Sequence, residues 1–139
     1  MNQAFRRAWV KSNPGPKKKK PRRIEDGVQS RLLKEATPLL LPDIHVYAIP
    51  NGGFRLFSEA VRLKATGVKG GITDLVFIVP LGGTAWLETK TTAPGSSLGD
   101  DQEGFRNICL RLGHRWGMYH TVEEGLAQLR AWGFLRRGR

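Results

Sequence analysis

The chain has 139 residues, 40% of them hydrophobic, and a formal net charge of +11 at pH 7. This length is sufficient for one globular domain with one hydrophobic core. No apolar run approaches the ~18–20 residues that cross a bilayer, and the start lacks the apolar segment of a secretory signal, so we expect an intracellular protein without a membrane partner. A single cysteine, Cys109, excludes an intrachain disulfide and a cysteine-rich zinc site, and its apolar neighbours predict a buried thiol.

The positive charge is concentrated at the N-terminus. Nine of the 23 Lys/Arg residues and no acidic residue lie within residues 1–23, whereas the remainder is nearly neutral. This segment contains four consecutive lysines: Lys17, Lys18, Lys19 and Lys20. We expect a flexible basic arm, suited to a polyanion because bound phosphates release counterions. A localisation signal and a solvated terminus without a specific role are the alternatives. The predicted domain spans residues 24–135, and residues 136–139 form a short basic tail.

Hydrophobic periodicity and turn residues predict eight elements in the domain. They follow one another as helix, strand, helix, strand, strand, helix, strand and helix: 25–36, 44–49, 59–66, 74–79, 84–91, 100–112, 114–120 and 122–132. The short turn after residue 79 predicts that the second and third strands pair as an antiparallel hairpin. This order is typical of an α/β or α+β domain with a mixed β-sheet flanked by helices.

Three details of the helices can be checked against a structure. Ser58 is predicted to cap the second helix, and Thr121 the fourth, with Glu124 completing a capping box. The third helix is predicted to bury four side chains on one face: Phe105, Ile108, Cys109 and Leu112.

Charged residues stand at the ends of the two hairpin strands. Asp74 precedes the apolar run 75–79, and Glu88 and Lys90 close the second strand. Residues two apart on a strand point to the same face, so Lys90 lies beside Glu88, and Trp86 shares this face and can form a wall. Two carboxylates supply the hard oxygen ligands that Mg²⁺ prefers, and the Thr89 carbonyl is a further candidate ligand. Taken alone, such a trio is more often a solvated hairpin than a catalytic site.

Several motifs together resemble the VRR-NUC nucleases, a branch of the PD-(D/E)xK superfamily. The similarity covers roughly residues 25–122 and rests on residues 50–53, 63–75, 87–91, Leu98 and Gln102. The resemblance implies a restriction-endonuclease-like core and Mg²⁺- or Mn²⁺-dependent cleavage of DNA. Small stand-alone phage members of the family are similar to Holliday-junction resolvases and tend to be dimers. One departure is Thr73, which stands where a proline often precedes the acid.

The resemblance also assigns roles to residues. By position, Asp74 and Glu88 are the metal-binding acids, Lys90 is the catalytic lysine and Gln102 is the motif glutamine that contacts phosphate or positions the lysine. Glu25 matches an early glutamate of the family, a possible further metal or water ligand. Glu35 is the alternative match for that glutamate. Asn51, Arg55 and Lys69 are expected to contact DNA phosphates. The arm is not part of the family core, and its four lysines are expected to contact phosphates because of their charge alone.

The sequence therefore predicts a metal-dependent DNA endonuclease, selective for branched DNA such as a Holliday junction, acting as a homodimer in phage or prophage DNA metabolism. In this reading Lys90 orients the attacking water or balances phosphate charge, rather than acting as the general base. The alternatives are a flap or nicking nuclease, a non-catalytic nucleic-acid-binding protein on a nuclease fold, and a phage structural protein that uses the arm.

Overall fold

The computed structural model describes residues 21–50, 56–92 and 96–137. Its elements follow the predicted order: α1 Pro21–Ala36, β1 His45–Ala48, α2 Phe57–Ala65, β2 Leu75–Ile78, β3 Thr84–Thr89, α3 Asp100–Arg111, β4 Arg115–Tyr119 and α4 Val122–Ala131. Helix α1 begins three residues before the predicted domain start at residue 24. Two short 3₁₀ turns, Thr37–Leu39 and Pro80–Gly82, connect neighbouring elements.

The four strands form one mixed sheet in the order β1-β2-β3-β4. Strand β2 pairs antiparallel with both β1 and β3, which confirms the predicted hairpin, and β3 pairs parallel with β4. The parallel pair needs a crossover connection, which α3 supplies. An α/β fold with a mixed sheet flanked by helices is therefore confirmed.

Helices cover both faces of the sheet. On one face α1 and α4 enclose the hydrophobic core, which includes Leu32, Phe77, Leu87 and Leu129. On the other face Trp86, which alternates with Leu87 along β3, packs edge-on against Phe105 of α3 with ring centroids 4.9 Å apart. The sheet is thus a central layer, and its α3 face is the one that Glu88 shares with Trp86.

Two details of α2 and α3 differ from the sequence-based expectation. The cap of α2 is Leu56 in an extended conformation and Ser58 lies inside the helix, so the predicted Ser58 cap is wrong. In α3, Cys109 is buried as predicted and Phe105 is half-buried, but Ile108 is 46% and Leu112 62% exposed. Helix α3 contacts the sheet through a narrower stripe than its apolar residues suggest.

Only one of the two hydrogen bonds of the predicted capping box is present at the N-terminus of α4. The Thr121 hydroxyl accepts a hydrogen bond from the Glu124 N–H at 3.2 Å. The Glu124 carboxylate, however, accepts from the N–H of His120 at 2.8 Å, one residue before the cap. The reciprocal bond of a capping box is therefore shifted by one residue toward β4.

Candidate active site

A close approach of two backbones holds the segment before Asp74. Gly71 adopts φ +79°, and a Cβ at this position would lie 2.5 Å from the carbonyl carbon of Asp101 in α3. Only glycine fits there, because a side chain would meet backbone and the left-handed conformation is strained for other residues. The contact fixes the start of β2 against the N-terminus of α3, and Asp74 follows three residues later.

Glu88 and Lys90 lie at the same end of the hairpin as Asp74. Leu75 pairs with Leu87, so Asp74 and Glu88 are the next residues outward on neighbouring strands. Lys90 Nζ is 3.5 Å from Glu88 Oε1, and the side chains of the two residues are only 13% and 3% exposed. The structure thus brings together the three residues that the sequence singled out.

Thr89 connects this group to the rest of the fold. Its N–H donates a hydrogen bond to Asp74 Oδ2 at 3.0 Å. Its hydroxyl donates to the Tyr119 hydroxyl on β4 at 2.7 Å, and both side chains are fully buried. Burial raises the pKa of Tyr119, so this hydroxyl stays protonated at neutral pH.

Gln102 reaches the site from the first turn of α3. Its Nε2 donates to Glu88 Oε1, and its Oε1 accepts the N–H of Gly99 at 3.0 Å, before the helix begins. The second bond satisfies a backbone donor at the helix N-terminus. Gln102 therefore joins the helix cap to the Glu88 carboxylate, and its amide orientation is set by both partners.

Burial and the neighbouring Asp74 charge disfavour the ionised form of Glu88. Burial, and next the negative charge of Asp74, raise the pKa of Glu88 from its ordinary 4.5 to about 7, while Lys90 acts in the opposite direction. A divalent cation between the acids would relieve both the burial cost and the repulsion. The donor set of Asp74, Glu88 and the Thr89 carbonyl consists of hard oxygens, which fits Mg²⁺ or Mn²⁺.

The protein ligands of such a metal would be few. Within residues 21–50, 56–92 and 96–137, no three His, Cys, Asp or Glu side chains form a cluster that could hold a metal ion. Magnesium usually keeps several waters and takes one or two carboxylates from the protein, so a pair is sufficient. An open cleft of about 470 Å³ adjoins the pair, lined by Asp74, Gln102 and the N-terminal end of α3.

Of the other predicted site residues, Glu25 and Lys69 lie in the part of the chain that the structure describes. The Glu25 carboxylate accepts the N–H of Thr91 at 3.3 Å, so α1 contributes an acid beside the end of β3, and its role as a ligand stays a prediction. Lys69 is exposed and lines a groove with Gly70 and Gly71. The remaining candidates lie outside the described residues: Asn51, Arg55, Lys17, Lys18, Lys19 and Lys20.

Sequence reasoning missed two aromatic residues near the acids, Tyr119 and Trp116. Tyr119 supports Thr89, and the indole N–H of Trp116 donates to the buried Thr73 hydroxyl at 3.0 Å, directly before Asp74. Both aromatic residues lie on β4. The one signal in the sequence is a polar Thr73 in the place where the resembled family often has proline. Because the partners are 30 and 43 residues apart in sequence, only the pairing of β3 with β4 reveals them.

Comparisons with known proteins identify the fold. Neither the protein-family models nor the curated proteins contain a match. Among solved structures, one described as "VRR_NUC domain protein" is similar with a TM-score of 0.60 and 17% sequence identity, over 78% of this chain and 87% of that one. Another, described as "VRR_NUC domain", has a TM-score of 0.52 and 15% identity, over 78% of this chain and 95% of that one. In the part of the chain that the structure describes, no helix is both long and apolar enough to cross a bilayer. The chain has the fold of a VRR-NUC domain.

Proposed function

We propose that this protein is a Mg²⁺- or Mn²⁺-dependent endonuclease that hydrolyses DNA phosphodiester bonds. The observation that carries the proposal is the buried group at the end of the hairpin. There Asp74, Glu88 and Lys90 meet on a VRR-NUC fold, with Gln102 bonded to Glu88. A solvated hairpin does not account for this arrangement, because the Glu88 side chain is only 3% exposed and two neighbours contact it.

Each residue has a distinct task in this proposal. Asp74, Glu88 and the Thr89 carbonyl hold the metal, which when bound supplies an activated water and neutralises charge on the phosphate. Lys90 balances the charge that develops on the phosphate and orients the water, because its ammonium is held 3.5 Å from Glu88. Gln102 holds the Glu88 carboxylate so that it does not rotate away from the site.

The partners and setting belong to the same proposal. The net charge of +11 and the concentration of basic residues at the N-terminus support a polyanionic substrate. Glu25, in the first half of α1, lies beside the end of β3, so the N-terminal part of α1 is at the same end of the sheet as the acids. The resemblance supports branched DNA as the substrate, a homodimer as the active form, and a phage or prophage protein in the cytoplasm of a bacterial host.

Cleavage of a set of labelled DNAs tests both the activity and its selectivity. Four-way junction, flap, nicked duplex, duplex and single-stranded DNA are incubated with Mg²⁺, Mn²⁺ or chelator. Paired symmetric nicks confined to the junction would establish a resolvase. Cuts confined to the flap or to the nicked duplex would instead indicate a flap or nicking nuclease. Binding without any cleavage would leave a nucleic-acid-binding protein on a nuclease fold.

Matched variants separate chemistry from folding in this assay. Asp74→Asn removes a metal ligand and is expected to abolish cleavage. Asp43→Asn makes the same chemical change at an exposed position before β1, and β1 begins at the sheet end far from the acids. This control is expected to cleave like the unmodified protein. Equal loss in both variants would contradict the assignment of Asp74.

A further inference from the structure

A buried hydroxyl pair lies directly beneath the candidate active site. Thr89, between Glu88 and Lys90 in sequence, donates its hydroxyl hydrogen to the Tyr119 hydroxyl at 2.7 Å. Thr89 is 1% exposed and Tyr119 is fully buried. The two residues are register partners on the parallel strands β3 and β4, and Lys90 N–H donates to the Tyr119 carbonyl at 2.9 Å. Strand β4 thus holds both the side chain of Thr89 and the next peptide group.

The backbone conformation of Thr89 matters for the acids. Its N–H, in the peptide group shared with Glu88, donates to Asp74 Oδ2 at 3.0 Å, so a rotation of that peptide group would move or release the Asp74 carboxylate. Under the proposed function the carbonyl of Thr89, in the peptide group shared with Lys90, is also a metal ligand. One residue therefore sets the position of two groups of the site, and the Thr89–Tyr119 bond fixes that residue from the side of the core.

We propose that Tyr119 is a positioning residue of the active site, which acts through the Thr89 hydroxyl to hold Asp74 and the Thr89 carbonyl in place for the metal. The inference rests on the proposed function. It concerns the hydroxyl of Tyr119 rather than its ring, because the ring is held separately by close packing. A Cβ on Gly125 of α4 would lie 3.0 Å from Tyr119 Cδ2 and 2.9 Å from Leu32.

Packing alone does not require this polar pair. Replacing both partners of a buried hydrogen bond by apolar groups of the same shape has little effect on stability, whereas removing one partner leaves the other unsatisfied. Tyr119→Phe with Thr89→Val is therefore expected to fold with nearly the unmodified stability while lacking the bond. A purely structural pair would leave metal binding and turnover of that double variant unchanged.

The test compares Tyr119→Phe, Thr89→Val and the double variant by Mn²⁺ titration calorimetry, by kcat and KM for DNA, and by thermal unfolding. Loss of a bond that orients metal ligands typically costs 10–100-fold in metal affinity or activity. We expect each variant to bind Mn²⁺ about 10-fold more weakly or to lose about 10-fold in kcat, with KM for DNA unchanged. The double variant should lose no more than Thr89→Val alone, because both changes remove the same bond.

Tyr47→Phe is the matched control, since Tyr47 is the other tyrosine of the chain and is 58% exposed on β1. It is expected to bind Mn²⁺ and cleave like the unmodified protein. If the double variant binds Mn²⁺ and cleaves normally while the unmodified protein is active, the positioning role is wrong and the nuclease proposal stands. If the unmodified protein neither binds Mn²⁺ nor cleaves, both are wrong.

Discussion

Replacing Glu88 by glutamine should make the metal-free protein more stable at alkaline pH. The folded protein retains the Glu88 proton up to a pKa of about 7, whereas the unfolded chain releases it near 4.5. Between these values the folded state binds more protons, so the free energy of unfolding falls as pH rises. The stabilisation is complete below pH 4.5 and is lost by about pH 7.

The magnitude follows from the difference between the two pKa values. At ~1.4 kcal/mol per pH unit, ionising Glu88 in the folded protein costs roughly 3 kcal/mol above pH 7. Glu88→Gln mimics the protonated acid and its carbonyl can still accept from Gln102. The variant should therefore be about 3 kcal/mol more stable at pH 8, which for a domain of this size corresponds to roughly 10 °C in Tm.

Urea unfolding in chelator at several pH values from 5 to 8 measures this effect. The unmodified protein should lose stability across the interval and Glu88→Gln should not, while the variant loses metal binding and cleavage. Glu124→Gln is the control, and its expected effect on stability has the opposite sign. Hydrogen bonds from His120 lower the pKa of Glu124, so removing the Glu124 carboxylate should make the protein less stable at pH 8. A Glu88→Gln protein that is less stable than the unmodified one at pH 8 would refute the reasoning.

Three further predictions concern the supports of the site and the basic arm. Gln102→Ala should lower kcat ~10–100-fold because Glu88 loses its anchor, whereas Asn107→Ala on the same helix should not; equal kcat values would contradict this role. Gly67→Ala, where φ is +95° and the added Cβ would have no atom within 4 Å apart from its chain neighbours, should cost ~1–2 kcal/mol in urea unfolding. Gly71→Ala should cost ~1–3 kcal/mol more, because its Cβ meets the α3 backbone; similar costs would show that the two backbones do not approach closely. Deleting residues 1–20 should weaken DNA binding and make it less salt-dependent, by ~0.9 in log–log slope for each phosphate that the arm neutralises, and an unchanged slope would exclude the arm from the interface.

Much of the fold can be predicted from local sequence patterns. The order of helices and strands follows from periodicity, and the hairpin from the short connection between β2 and β3. The spacing of Glu88 and Lys90 places both on one face of a strand, and antiparallel pairing then brings Asp74 to the same end. These are properties of short segments, so a single sequence is sufficient to predict them.

The remaining features depend on contacts between distant segments. The exposed fractions of Ile108 and Leu112 reflect how little of the sheet α3 covers, and periodicity does not contain that information. The bond between Thr89 and Tyr119 requires the register of a parallel pair joined by a long crossover. The need for glycine at position 71 arises from Asp101, thirty residues later.

The central question for this protein is whether the metal and the acid pair act together on DNA. The protein is freed of metal with chelator, Mn²⁺ is added back in steps, and cleavage of labelled DNA is measured for the unmodified chain and for Asp74→Ala. We predict that cleavage is absent in chelator, returns as Mn²⁺ saturates the unmodified protein, and never returns in Asp74→Ala. Cleavage that persists in chelator, or that Asp74→Ala retains, would contradict a metal site built on Asp74 and Glu88.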